Sequence, residues 1–401
     1  MTSMYANTLE ASDGHPEKFE ELRIWRLNSC FLYDLLILKR NSLGLYSCQW
    51  LPETDVALRP GFFSQKILLG RAGDGNSAFM VIQVDMPDSK EQGYSDDLKE
   101  ELKSVKELSL TKLRVCYIGS LRQDIHRVRY SPQQNNIVAG RTSKASVVLF
   151  DISETSTSNK LQAEPLDILD GPPEKNNCFS LAWDPVRKGV LGAGGPDNGI
   201  YHWDVNGGNV RALNCLRDPQ QETINDIHFH PTESIVGAAG EQKRFTLFDK
   251  TSHSVIESRV AHKKGVNCIE FHPQNANLFL TGSDDTTIAL WDRRKTHREL
   301  YRFTDHHTSV TELHWNPISP SLFASAADSK VFLWDMTRIG ASLDTKDLDG
   351  SSPELLFIHG GHIKGVEGFD WNSEVPRMIA SVSLDEFIEI WSPGLHVLDE
   401  L

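Results

Sequence analysis

Short apolar runs separated by turn-forming clusters fill the chain from about residue 31 onward, and they are most regular across residues 262–292 (HKKGVNCIEFHPQNANLFLTGSDDTTIALWD). Three runs stand there, at 266–271, 278–281 and 288–291, divided by His-Pro, Asn and Ser-Asp-Asp turns. Runs this short, bounded this way, predict strands and not helices. A unit of three strands cannot bury both its faces alone, so it needs similar neighbours. The chain supplies them. Paired aromatics, one in the first run and one ending the third, recur as Tyr130/Phe150, Trp183/Trp203, Phe229/Phe248, Phe271/Trp291, Trp315/Trp334 and Trp371/Trp391, always 19 or 20 residues apart. The spacing between units drifts, as expected where loops absorb insertions. The pattern predicts an all-β fold, a β-propeller, and therefore a binding platform.

A further unit precedes these six, with strands at 46–52, 66–70, 79–85 and 113–119, and it brings the blade count to seven. Upstream of it the apolar run 31–39 (FLYDLLILK) is the natural closing strand of the last blade, because joining the chain ends in one blade removes the edges of an open ring. Residues 16–28 (PEKFEELRIWRLN) place Phe19, Leu22 and Trp25 three apart behind a proline and early acids, which predicts a helix with one apolar stripe. Such a helix either caps the propeller's side or forms one wall of a groove. The expected organisation is a disordered tail at 1–14, a helix at 15–30 and a propeller at 31–401. Segments 87–108, 153–175 and 206–222 read as solvated loops. The long insertion 339–362 carries Asp344, Asp347 and Asp349 and leads into an apolar strand holding Phe357 and Ile358.

The second aromatic of a unit is followed by Asp in five units, and an Asp stands six residues before it at Asp197, Asp285, Asp328 and Asp385. These residues resemble the WD-repeat pattern, which implies that His262, Asp285 and Trp291 brace a blade through hydrogen bonds and form no catalytic triad. Gln242, and Thr142 or Lys144, stand where that Asp would fall in two other units, so those blades are expected to be held mainly by packing.

Composition narrows the function classes. A balance of 41 basic to 55 acidic residues, net charge −14, argues against nucleic acid as a direct ligand and favours basic partners. Six scattered cysteines without CxxC spacing suit reduced thiols in the nucleus or cytosol. No apolar run reaches the ~18–20 residues of a membrane span, and the N-terminal stretch has no apolar signal core. The glycine-rich stretch 192–199 leads into a strand, so no helix N-terminus is available for a phosphate. His228 with His230, and His306 with His307, lack a partner ligand at metal spacing. GxSxG, HExxH and P-loop motifs are missing. The expectation is a non-enzyme without metal or cofactor.

Three segments carry a narrower resemblance: RIWRLNSCFLYDL (23–35), CQWLP (48–52) and GSSPELLFIHGGH (350–362). In them, and in their order, the chain resembles the retinoblastoma-binding, MSI-like (p48-type) histone chaperone family. The resemblance implies a nuclear, and also cytosolic, adaptor that works as a monomeric subunit of hetero-complexes. Its partners would be a tetramer-forming core histone and the subunits of chromatin assembly factor, histone acetyltransferase, deacetylase, remodelling or Polycomb complexes. It also implies a side groove for a basic histone helix, here Phe19, Leu22, Trp25, Phe31, Asp344, Asp347, Asp349, Phe357 and Ile358. The family's top-face site for a basic tail corresponds to Asp124, His126, Arg127, Asn177, Phe179, Asn225, Ser309 and Thr311. Several acids are neutral there, and residues 43–46 (LGLY) replace the family's Trp-Pro-Ser-Leu, as in a divergent member. A different function class is open at Trp291-Asp292-Arg293-Arg294, which fits the WDxR pattern of substrate receptors of cullin ubiquitin ligases.

Overall fold

The computed structural model describes residues 16–56, 62–72, 79–87, 113–119, 121, 123–153, 162–169, 180–206, 210–213, 215–341, 350–395 and 397. Seven sheets, antiparallel except for one added pair in blade 1, form the seven blades of a β-propeller. Each blade's first strand lies innermost: Leu45–Val56, Ile125–Ser131, Ala182–Trp183, Ile224–Phe229, Val266–Phe271, Val310–Trp315 and Val366–Trp371 open blades 1 to 7. The second strands, such as Ile235–Gly240 and Leu322–Ala327, are buried almost throughout. Their small residues admit the next blade's bulky ones. At Gly237 an added Cβ would lie 2.9 Å from Ile269 Cδ1, with Phe271 just behind it. Facing sheets thus interdigitate, and Phe245, Phe271, Phe279 and Trp291 share one cluster between blades 4 and 5.

The expected closure is present. Strand β1 (Tyr33–Arg40) runs antiparallel to Phe387–Pro393, with Leu36 opposite Trp391 and Ile37 opposite Ile390. Its start differs from the expected residue 31, because helix α1 (Pro16–Leu32) continues through Phe31 and Leu32. An apolar run alone does not distinguish a last helical turn from a first strand residue. The helix stops where Gly394 N donates to the Leu32 carbonyl at 2.9 Å, seating its C-terminus on blade 7.

Two expected loops contain strands. Asp167–Leu169 completes blade 2, and Gln162–Ala163 adds in parallel to blade 1. Arg211–Ala212 and Leu216–Arg217 both pair with Gly199–Asp204 in blade 3. Outer strands have one solvated side and little apolar alternation, so their sequences resemble loops. The expected tail at 1–14 and the charged segment 88–112 lie outside the described residues.

Candidate functional site: a braced ring, its channel and its side helix

Three blades test the polar bracing. In blade 5, Trp291 Nε1 donates to Thr281 Oγ1 at 2.9 Å, and Thr281 is 2.8 Å from His262 Nε2. His262 Nδ1 faces Asp285 at 3.2 Å. Burial raises the Asp285 pKa, but hydrogen bonds from His262, Thr287 and the Lys263 N–H outweigh it and hold the carboxyl well below its usual range. Blade 7 repeats the arrangement with His362, Asp385, Ser381 and Trp391. The scaffold reading of His262, Asp285 and Trp291 fits this geometry, with Thr281 as the link that the sequence pattern did not reveal.

Blade 6 breaks the expectation. Its turn is one residue shorter, with Ser325 nine residues before Trp334 where Thr281 is ten before Trp291. Asp328 consequently adopts φ +50° in the turn and pairs with Lys18 of α1 at 3.1 Å. His306 Nε2 still meets Ser325 Oγ at 2.8 Å, and burial pushes the His306 pKa down to about 3. Asp197 also departs from the pattern, binding Tyr201 Oη and Arg217. The blade with Gln242 is not held by packing alone, since Thr246 and Ser258 both donate to Asp218.

The axis of the ring is a channel of about 380 Å³. Strand alternation turns the residues one and three places before each first-strand aromatic toward it. The nearer set includes Gln49, Arg129, His228, Glu270, His314 and Asp370, and the farther set Arg127, Asp226 and Glu312. The nearer residue accepts the N–H of the next blade's aromatic in four places: Tyr130 to Gln49 (3.0 Å), Phe271 to His228 (3.3 Å), Trp315 to Glu270 (2.7 Å) and Trp50 to Asp370 (2.8 Å). The farther residue accepts from Ile269 at Asp226 and from Phe369 at Glu312. Ion pairs lie across this stitching. Arg127 spans Asp226 and Glu312 at 3.4 Å each, and Arg129 and His314 also reach Glu312.

Burial opposes charge throughout the channel. At Glu312 it is outweighed by His314 and the two arginines, which leave the carboxyl at about 2. At His314 it is outweighed by Glu270 and Glu312, which hold the ring up at about 10. At Asp370 burial dominates and pushes the carboxyl up to about 6.

Of the residues expected at the top face, Arg127 belongs to the channel network, with its side chain 22% exposed. His126 lies 4.1 Å from the Tyr46 ring. Asn225 Nδ2 is spent on the Val266 carbonyl at 3.0 Å and Thr311 Oγ1 on the Ala326 carbonyl at 3.3 Å. Asp124 and Ser309 flank the same inner strands, whereas Asn177 and Phe179 lie outside the described residues.

At the side of the ring, α1 divides into two faces. Leu22 is buried, and Trp25, half-buried, packs edge-on against Tyr33 and His359. Phe19 is also half-buried, and Lys18 and Glu21 pair with Asp328 and Lys330 of blade 6. The opposite face carries Ile24, Leu27 and Phe31, which are 48%, 62% and 69% exposed. In blade 6's outer strand, Leu355–His359, Ile358 is 43% exposed while Phe357 is only 7% exposed, its ring 5.3 Å from Tyr33. Phe357 is therefore core and not an open floor, since neighbouring strand residues point to opposite faces. Ile24 and Leu27 were missed in the sequence, although their i, i+3, i+7 spacing with Phe31 was a readable signal. Asp344, Asp347 and Asp349 lie outside the described residues.

In Arg293-Arg294, Arg293 is held by Glu233 and the Ala276 carbonyl, and Arg294 grips Asp292 with two nitrogens.

Comparison with known proteins agrees with the ring. The repeat family described as "WD domain, G-beta repeat" matches residues 254–292 and 297–335. A relative in Candida glabrata, "Histone acetyltransferase type B subunit 2", is 27% identical over 385 residues, covering 94% of this chain and 89% of its own. The chain is a seven-bladed β-propeller that carries WD repeats at 254–292 and 297–335 and is similar to that subunit along nearly its whole length.

Proposed function

We propose that this protein is a non-catalytic, histone-associated adaptor, a nuclear subunit of a chromatin complex, which holds a basic histone helix against its side. One observation carries the reading: α1 is anchored by Leu22 and Trp25 and turns the separate row Ile24, Leu27 and Phe31 to solvent, and Ile358 of blade 6's outer strand is exposed as well. A helix anchored on one face and apolar on the other is a wall for an amphipathic partner. Asp344, Asp347 and Asp349 stand in the sequence just before blade 6's outer strand, and the net charge of −14 favours a basic partner. The likeness to a histone acetyltransferase subunit supports the partner class.

The test is a titration of the full chain with a peptide of the first helix of a tetramer-forming core histone. Leu27→Asp and Phe31→Asp should weaken binding at least ~10-fold with unchanged melting temperature, as expected when an apolar anchor is lost from a groove. Binding equal to the unaltered protein would overturn the groove. Recovery of a cullin and its adaptor from nuclear extract, without histones, would favour the ubiquitin-ligase class instead.

A further inference from the structure

Beneath α1 lies a chain of buried polar groups that histone binding does not use. Trp25 Nε1 is 2.9 Å from Tyr33 Oη, Tyr33 Oη is 2.8 Å from His359 Nδ1, and His359 Nε2 is 2.8 Å from Glu389 Oε2. The four residues come from the helix, the closing strand, blade 6 and blade 7. Tyr33, His359 and Glu389 are buried. The His359 ring lies nearly parallel on Trp391 at 4.2 Å and meets His362 edge-on at 6.0 Å. An added Cβ at Gly361 would collide with Glu389 Oε2, so a glycine there lets the backbone pass over the carboxylate.

We infer that this relay is an acid-sensitive latch holding α1 on the propeller. Hydrogen-bond direction gives the reason. An indole N–H only donates, so Tyr33 Oη accepts from Trp25 and sends its own proton to His359 Nδ1. Nδ1 must then be bare, and the ring's proton sits on Nε2, which approaches Glu389 Oε2 at 2.8 Å without hydrogen-bond alignment. A second proton on His359 would occupy Nδ1 and leave the Tyr33 hydroxyl hydrogen without its acceptor in a buried site. Lifting Trp25 admits water to both groups and relieves the conflict, so protonation favours the undocked helix.

The charged and titratable groups around His359 agree with that sign. From the closing strand there is Tyr33, and from blade 7 Glu389 and His362, with Asp385 behind His362 at 3.2 Å. Burial lowers the His359 pKa, and Glu389 opposes it. The His362 pKa is raised, Glu389 and Asp385 together overcoming burial, but His362 braces blade 7 and keeps that surrounding when the helix leaves. His359, His362 and Glu389 also bring ligand-type atoms within 4.8 Å of one another. A metal there would have to strip His362 from Asp385 and Ser381, the same bracing that His262 has in blade 5.

The latch stands without the histone reading, and its test contains no histone. Hydrogen exchange of the full chain is followed at pH 7.5 and pH 5.5 and corrected for the intrinsic pH dependence. Protection of residues 16–32 should fall about tenfold, the one-proton limit for a histidine that is ordinary when undocked. His359→Gln should abolish that dependence. Tyr33→Phe, which keeps the ring, should lower helix protection at pH 7.5 toward the acidic value. Helix protection that ignores pH in the unaltered protein, or pH dependence that survives in His359→Gln, would overturn the latch. Protection of Phe387–Pro393 reports whether His359→Gln has damaged blade 7; if it has, Tyr33→Phe decides, and unchanged helix protection there refutes the relay.

Discussion

Asp370 shows how the channel's charge burden falls on single residues. Its oxygen accepts the Trp50 N–H, yet burial pushes the carboxyl up to about 6. An acid whose folded pKa lies above its unfolded one disfavours folding once ionised. Stability is therefore gained as pH falls through 6 and lost as it rises. Asp370→Asn keeps an oxygen for Trp50 and removes the charge, so it should stabilise the protein at pH 7.5 by at most about 3 kcal/mol, at ~1.4 kcal/mol per pKa unit. The gain should vanish near pH 4, and thermal melts at the two pH values check it. Phe357→Ala is the opposite case. The residue is packed against Tyr33 and Trp391, so its loss should cost about 3–5 kcal/mol and lower the melting temperature before it says anything about binding. The channel positions were legible in principle, because Gln49, Arg129, His228, Glu270, His314 and Asp370 each directly precede a repeat aromatic. What the sequence could not convey is that Gln49, His228, Glu270 and Asp370 are spent on the next blade's N–H, since that partner lies 40 or more residues away in the chain.

At the scale of elements, α1 separates what sequence pattern shows from what only packing decides. The row Phe19, Leu22 and Trp25 was readable as a stripe, and the structure turns it inward. The second row, Ile24, Leu27 and Phe31, had a readable spacing but was hidden by ending the expected helix at residue 30, whereas α1 runs to Leu32. Outer strands such as Ser254–Val260 were unreadable because their exposed residues obey no alternation. The short turn of blade 6 was equally hidden. A fixed six-residue offset finds Asp328, but a one-residue deletion moves its carboxylate from His306 to Lys18. That exposed pair contributes at most about 1 kcal/mol, so Asp328→Asn should leave the blade's melting behaviour nearly unchanged. Asp285→Asn, by contrast, removes a carboxylate paired with a buried histidine and should destabilise blade 5 by ~1–3 kcal/mol, a contrast that chemical denaturation of the two variants measures directly.

The whole molecule is a ring in which side chains of inner strands hydrogen-bond the next blade's inner strand at blades 1–2, 4–5, 5–6, 6–7 and 7–1, and the seam is closed by a strand from the other end of the chain. Open repeat arrays gain stability from nearest neighbours and can lose terminal repeats separately. A closed ring has no terminal repeat. Blade 7 meets blade 6 through Glu312 and Phe369 N and meets blade 1 through Asp370 and Trp50 N. Ile37 of β1 is buried in the cluster that blades 7 and 1 share. Ile37→Asp therefore places an unpaired charge in the seam and should cost several kcal/mol. Two outcomes are distinct. If the ring unfolds as one unit, calorimetry shows a single transition at lower temperature, and exchange protection in blade 4, on the far side, falls together with that of blade 7. If the blades act independently, a small early transition appears with exchange confined to residues 366–393. The side-chain stitching on both flanks of blade 7 favours the first outcome, and an early transition confined to blade 7 would show that closure seals an edge without making the ring cooperative.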